Sequence, residues 1–320
     1  MISTTNRADN HFLARLRSPA GRPMIIAHRG DSAHAPENTI DAARLGWKSG
    51  AAAWEFDVQS TRDGVPVVLH DESLLRTTDV AIRFAGDPRG RDGFRVSDFD
   101  LDEVRSLDAG SWFVAENGGY RSAREFETLD HLPIESVERY RSGTVRIPTL
   151  EEALAFTREA DWLANVEIKS FPDRPAGLVE RTLQVIEATK TDERVLISSF
   201  DHGDVFESHR EGRRFGLGIL LATPLHRLAD YAADLVGADT VHVSTEVLGA
   251  ESVGYRRRCE AASLRVEMIR SLEGRGLPTL VYTVNHQGGG LLAQHLIELG
   301  VTGLFTDDPS SWAIVADRAA

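Results

Sequence analysis

Short apolar, β-branched runs alternate with longer stretches of helical patterning through most of the chain. Residues 24–28, 53–58, 163–169, 195–200, 215–221, 240–244, 279–285 and 303–306 read as strands. Residues 40–49, 150–160, 178–189, 202–211, 225–235, 251–273 and 289–299 read as helices. Strands that alternate with helices build βαβ units and a parallel sheet. Eight of them close most simply as a (β/α)8 TIM barrel, so the fold class expected is α/β.

A further strand-like run, 65–70, does not fit as a ninth barrel member. It follows Val58 too closely for a parallel crossover helix, and Asp63-Gly64 between the two runs is a hairpin signal. Residues 59–70 are therefore expected to rise beyond the second strand and return. With residues 59 and 66 opposite each other, His70 comes back near Glu55 and Asp57. Residues 71–146 break the alternation. They hold eight of the chain's 23 aromatic residues, a richness foreign to disordered linkers, and read as a small ordered insertion at the active-site end. The division expected is an N-terminal extension over 1–22, a barrel formed by 23–70 with 147–320, and an insertion subdomain over 71–146.

Composition narrows the picture. The 320 residues suit one barrel or two ordinary domains. A net charge of -13, from 49 acidic and 36 basic residues, argues against nucleic acid or an anionic membrane surface as the main partner. The one cysteine, Cys259, excludes an intrachain disulfide. Neither a signal-peptide core nor an apolar stretch of about 20 residues is present, so a cytoplasmic location is the expectation, with no transmembrane segment. Only Lys48, Lys169 and Lys190 are lysines among the 36 basic residues. That shortage draws notice to any lysine at a strand end.

Candidate chemistry gathers at such ends. His28-Arg29-Gly30 closes the first strand, at the C-terminal face where barrel enzymes carry their sites, and the fork of Arg29 suits a phosphate. Asn38-Thr39 reads as a turn and helix N-cap. Glu55 and Asp57 stand at i and i+2 and share one face of their strand, while Phe56 turns outward. Two inward carboxylates repel and ask for a cation, and hard Mg²⁺ or Ca²⁺ prefers oxygen ligands. Glu167 and Lys169 repeat the device, with Ile168 turned to the helices. Glu167 completes a set of three carboxylates; Lys169 holds a phosphate oxygen or tunes Glu167. The competing readings are solvated acids and a self-contained Glu–Lys pair. His70-Asp71 ends the hairpin and, with His28, supplies two imidazoles for proton transfer near neutral pH. His202 is a supporting candidate only. Ser198-Ser199 lacks a nucleophile elbow, and Gly288-Gly289-Gly290 matches no phosphate-binding loop.

In order along the chain, His28-Arg29-Gly30, Pro36-Glu37-Asn38-Thr39, Glu55-x-Asp57, the 61–64 turn, His70-Asp71, Ile147-Pro148-Thr149-Leu150-Glu151, Glu167-Ile168-Lys169, Thr283-Val284-Asn285 and Thr306-Asp307-x-Pro309 resemble the glycerophosphoryl diester phosphodiesterase family. The resemblance covers 24–309, and 107–113 resembles that family's small inserted domain. It implies an irregular phospholipase-C-like barrel and one divalent cation, Mg²⁺ or Ca²⁺, on Glu55, Asp57 and Glu167. It also implies His28 and His70 as the acid–base pair, Arg29 on the phosphate, and Lys169, Tyr282 and Asn285 lining the substrate site. Tyr282 stands where many members have Trp, and Val301-Thr302-Gly303 departs from a usual V-D-G.

The expected activity is metal-dependent hydrolysis of a small-molecule glycerophosphodiester to an alcohol and a glycerol phosphate. The alternatives are a phospholipase-D-like barrel lyase that forms a cyclic phosphate from lysophospholipids or sphingolipids, and a non-catalytic phosphodiester-binding barrel. A sugar-phosphate isomerase has only the architecture in its favour. The leaving alcohol, the native metal, the role of each His and the oligomeric state are left open by these residues.

Overall fold

The strands predicted from the apolar runs form and close on themselves. In the computed structural model, which describes residues 9–17, 23–115, 127–171, 174–210, 213–249, 265–285 and 290–312, the strands are β1 (Met24–His28), β2 (Ala53–Ser60), β3 (Pro66–Val68), β4 (Ala164–Ile168), β5 (Val195–Ser199), β6 (Gly216–Leu221), β7 (Thr240–Ser244), β8 (Thr279–Tyr282) and β9 (Gly303–Thr306). The order is β1-β9-β8-β7-β6-β5-β4-β2-β3, and pairing of β1 with β2 closes the eight parallel strands into a barrel. Alternation along each strand sends one set of side chains inward and the other out to the helices. Trp54, Phe56, Val166, Ile168, Ile197, Leu217, Val241 and Leu304 thus join helix residues such as Leu150, Leu154, Leu183 and Leu296 in one buried cluster.

The inward set is apolar at the floor. Ile26, Ala53, Leu196, Leu280 and Phe305 are buried together with Phe12, Leu13 and Leu16 of a short helix, α1 (His11–Leu16). Asn10 caps α1 by accepting from the Leu13 amide at 2.8 Å, and its own amide donates to the Val195 and Arg214 carbonyls at 3.1 and 2.9 Å. The part of the N-terminal extension that is described therefore plugs the barrel.

β3 is the antiparallel return leg of the expected hairpin. Gln59 faces Val67, one residue beyond the register read from the sequence. The cause is a 61–65 loop closed by the Thr61 amide on the Val65 carbonyl at 3.1 Å. The Gln59 amide then faces the Leu69, His70 and Asp71 carbonyls at 3.0, 3.1 and 2.5 Å, and fixes the descending leg beside β2. Leu74, Phe94, Phe99, Leu107, Phe113 and Tyr140 form a second core together with Ala35, Ala42, Val67 and Leu69 of the barrel. Short helices at Val80–Arg83, Leu101–Ser106 and Ile134–Arg141 carry it. The Tyr140 hydroxyl donates to the His34 carbonyl at 3.1 Å, which places this layer over the loop after β1.

Several predicted elements are shorter in the structure. The run 279–285 leaves regular pairing after Tyr282, although the Val284 amide still donates to the Phe305 carbonyl of β9 at 2.8 Å. The helix expected over 202–211 ends at Glu207. The one expected over 225–235 is a short turn, Leu228–Asp230, that runs into a π-helical turn, Tyr231–Val236. The helix Val266–Gly274 covers the end of the run 251–273. Residues 251–264, with Cys259, and Gly288-Gly289 lie outside the described residues. No helix among the described residues is long and apolar enough to cross a membrane.

Candidate active site

Strand register brings the charged residues to one level. His28 pairs with Glu55 across β1 and β2, and Asp57 pairs with Glu167 across β2 and β4. All three carboxylates are buried, and a ligand oxygen from each lies within 4.8 Å of the others. Lys169 Nζ lies 2.8 Å from Asp57 Oδ1 and also bonds Glu167. Its ammonium is stabilised there: burial works against its charge, but Asp57 and Glu167 raise its pKa above the ordinary value. The lysine at this strand end thus bridges two of the three acids, and the pair with Glu167 is shared with Asp57, not self-contained.

The carboxylates are not equivalent. Burial pushes the Glu55 carboxyl up to about 8, with Asp57 and Glu167 adding to the rise. Burial also works against an ionised Asp57, but Lys169, His70 and Arg29 hold it well below the usual range. One Glu55 oxygen accepts from the Arg29 amide at 3.0 Å. The other, Oε1, is buried without a hydrogen-bond partner among the described residues. An orphaned carboxylate oxygen is costly in a buried place, and beside two further carboxylates it suits a hard divalent cation. The donor set therefore fits the expected metal.

The turn after β1 is forced by sterics. Gly30 has φ +84, and a Cβ there would sit 2.5 Å from the Ala42 carbonyl carbon, so no larger residue fits beside the helix α2 (Ile40–Lys48). Arg29 and Asn38 take left-handed backbone with φ 57 and 59, which costs about 1 kcal/mol or more apiece. Thr39 caps α2 as expected, accepting from the Ala42 amide at 3.2 Å. Asn38 does more than turn the chain: its amide donates to Asp57 Oδ2 at 2.7 Å, and its oxygen accepts from the Asp57 amide at 3.3 Å.

Both histidines are oriented by carboxylates. His28 Nδ1 lies 2.6 Å from Asp307 Oδ1, and its Nε2 stands 3.9 Å from Glu55. Burial and Arg29 press the ring toward neutrality, but Asp307 and Glu55 prevail and raise its pKa above the ordinary value. Asp307 is itself held by the Asn285 amide at 2.9 Å. Burial raises its carboxyl, but His28, Asn285 and Arg29 bring it down to about 2. His70 Nδ1 lies 2.7 Å from Asp71 Oδ1. In both rings the carboxylate accepts from Nδ1–H and leaves Nε2 to other partners, which for His28 is the side facing Glu55.

Arg29 Nη1 donates to Glu37 Oε1 at 2.9 Å, and its Nε stands 3.3 Å from Asp57 Oδ2. Tyr282 donates its hydroxyl to the Leu221 carbonyl at 2.8 Å, and its ring meets Phe200 edge-on at 6.0 Å between centroids. His202 is spent elsewhere: its ring nitrogens bond the Tyr231 hydroxyl and the Leu220 carbonyl, both at 2.9 Å. Three residues that the sequence reading gave no role stand in this network: Glu37, Arg76 and Asp307. Glu37 and Asp307 belong to the Pro36–Thr39 and Thr306–Pro309 motifs, whereas Arg76, which donates to Glu37 at 2.7 and 2.8 Å, has no sequence signal beyond its place six residues after His70. A separate group of possible ligands, Asp31, His34 and Asp308, lies in the loops after β1 and β9.

Comparison with known proteins accords with this geometry. The sequence profile of the glycerophosphoryl diester phosphodiesterase family matches residues 28–311. A glycerophosphodiester phosphodiesterase of Caldanaerobacter subterraneus subsp. tengcongensis is 31% identical over 290 residues, 91% of this chain and 96% of that protein. Among solved structures, an Oleispira antarctica phosphodiesterase in complex with the product sn-glycerol-3-phosphate is similar with a TM-score of 0.65 and 24% identity, over 92% of this chain and 97% of that one. A glycerophosphodiester phosphodiesterase from Parabacteroides distasonis is similar with a TM-score of 0.64 and 20% identity, over 93% and 99% of the two chains. With a profile match that spans both oriented histidines and all three carboxylates, the chain belongs to the glycerophosphoryl diester phosphodiesterase family.

Proposed function

We propose that this enzyme hydrolyses a glycerophosphodiester to an alcohol and a glycerol phosphate by acid–base chemistry between His28 and His70. The observation that carries the reading is the convergence of two carboxylate-oriented imidazoles on three buried carboxylates. Glu55, Asp57 and Glu167 would hold one divalent cation, Mg²⁺ or Ca²⁺. When bound, that cation offsets charge developing on the phosphoryl oxygens.

Arg29 donates to a non-bridging phosphate oxygen, as a planar fork does best. Glu37 and Asp57 hold its guanidinium in place. His28 Nε2 takes a proton from the attacking water while Asp307 steadies the imidazolium through Nδ1. The bond from phosphorus to the leaving oxygen breaks, and His70 Nε2–H gives that oxygen its proton. Asp71 holds the His70 ring on the opposite side. Lys169 keeps Asp57 ionised, and Tyr282 with Phe200 walls the space for the alcohol. The sn-glycerol-3-phosphate complex of the Oleispira antarctica relative supports a small-molecule substrate. The division into a barrel over 23–70 and 147–320 and an insertion subdomain over 71–146 is part of the same reading; a second apolar cluster, carried mostly by residues of the insertion and docked on Ala35, Ala42, Val67 and Leu69, supports it.

The test is turnover of a glycerophosphodiester panel in EDTA, Mg²⁺, Ca²⁺ and Mn²⁺, with phosphorus NMR of the product. His28→Ala and His70→Ala are each expected to abolish turnover with an unchanged circular dichroism spectrum. Full activity in either variant would sink the assignment. A cyclic phosphate would make the enzyme a lyase.

A further inference from the structure

Arg76 comes from the insertion, yet it makes four short contacts to two acids at the barrel mouth. Its Nε and Nη2 donate to Asp71 Oδ2 and Oδ1 at 2.5 and 2.9 Å. Its Nη1 and Nη2 donate to Glu37 Oε2 and Oε1 at 2.7 and 2.8 Å. Each of those acids is also bound to a group at the reaction centre. Asp71 accepts from His70, and Glu37 accepts from Arg29. Arg29 in turn stands against Asp57. The Arg76 side chain is about two-thirds buried, and the Trp112 ring lies 6.0 Å from its Cζ.

We propose that Arg76 is a positioning residue that locks His70 and Arg29 into one rigid frame. The inference rests on the acid–base reading of His70. The physical argument is one of competition. Asp71 left alone has freedom to rotate away from His70, and the ring loses the partner that fixes its Nδ1–H tautomer. Glu37 is buried; without Arg76 its charge falls wholly on Arg29 and draws that side chain off the phosphate. A planar fork with donors on two edges satisfies both acids at once, whereas an ammonium is a single point charge. The insertion thereby becomes part of the catalytic geometry through one side chain.

The experiment compares wild type with Arg76→Gln, Arg76→Lys, Asp71→Asn and the Arg76→Gln/Asp71→Asn double variant. Turnover of glycerophosphocholine is measured with the preferred cation. A misplacement of about 1 Å costs on the order of a hundredfold, so Arg76→Gln is expected to lower kcat by about tenfold to a hundredfold, with the larger part of the loss in kcat and a smaller part in KM. Arg76→Lys restores a part, not the whole. The double variant is no slower than the slower single variant, because both act through one path. An independent readout needs no substrate: nitrogen-15 NMR of histidine-labelled protein, recorded at a pH high enough for the ring to be neutral, should show His70 as one Nδ1–H tautomer in wild type and as a mixture in Arg76→Gln.

Wild-type kcat in Arg76→Gln overturns the proposal. So do multiplicative losses in the double variant, or full recovery by lysine in step with the melting temperature. If wild type turns over no phosphodiester, the activity reading fails. The tautomer measurement then decides the clamp alone, and an unchanged His70 signal in Arg76→Gln overturns it.

Discussion

At the floor of the barrel, Ile26, Ala53 and Phe305 pack against Phe12 and Leu13 with no polar atom among their side chains. Two residues further along the chain stand His28 on β1, Glu55 on β2 and Asp307, one residue past the end of β9. Two steps of a strand are about 7 Å. Over that distance the interior passes from side chains that gain by leaving water to side chains that lose by it. The difference teaches where each property resides. Strand pairing is continuous through both levels, so the sheet does not distinguish them. The floor stabilises the barrel, and the mouth holds charges that the rest of the fold must overcome.

The comparison is tested most sharply at Glu55. Glu55→Gln keeps the shape and removes an acid whose ionisation beside Asp57 and Glu167 is costly. Turnover is expected to fall by roughly a hundredfold to a thousandfold, the range for loss of one electrostatic stabiliser. The urea midpoint measured in EDTA at neutral pH is expected to hold or rise. A markedly lower midpoint would show that the mouth contributes to stability and would dissolve the contrast.

Phe12→Ala makes the opposite test. Phe12 is fully buried in the plug, and a truncation of that size in a packed core costs about 3–5 kcal/mol. The urea midpoint should drop accordingly, while kcat per folded molecule stays at the wild-type value. A loss of kcat in the folded fraction would mean that the plug shapes the mouth from below.

These two levels were not equally legible in the sequence. Glu55, Asp57, Glu167 and Lys169 were legible because strand alternation alone puts i and i+2 on one face. The hairpin was legible from Asp63-Gly64, although its register was off by one because the 61–65 loop closes on Val65. The plug was not legible: α1 is six residues long, too short for a periodic pattern to stand out. Nor was the pairing of Asp307 with His28, which are 279 residues apart in the chain. Asp71 lies five residues before Arg76 but Glu37 thirty-nine before it, and which carboxylate meets which guanidinium depends on how the insertion folds back over the loop after β1. Only the three-dimensional arrangement decides that.

One polar ring stands against the floor residues Leu280 and Phe305 and carries the smallest predicted effect. His242 points into the barrel from β7, fully buried, with the Thr240 hydroxyl 3.0 Å from its Nε2. Its Nδ1 has no hydrogen-bond partner among the described residues. Gly218 makes room for the ring, since a Cβ there would fall 2.7 Å from Nε2. Burial holds the His242 pKa down, to about 3, so the folded protein keeps this ring neutral where an unfolded chain takes up a proton. Above the ordinary histidine value neither state binds the proton, and stability is unaffected. As pH falls below it the unfolded state binds more protons, so stability is lost progressively from pH 6.5 toward pH 3. Between neutral pH and pH 5 this amounts to about 2 kcal/mol. His242→Gln removes the term and leaves the other titrations in place. The fall in unfolding free energy from pH 7.5 to pH 5, measured by urea in EDTA, should therefore be smaller by about 2 kcal/mol in the variant. Equal falls in the two proteins would mean that the ring takes its proton without unfolding. The ring would then behave like the charged mouth, not like the dry floor around it.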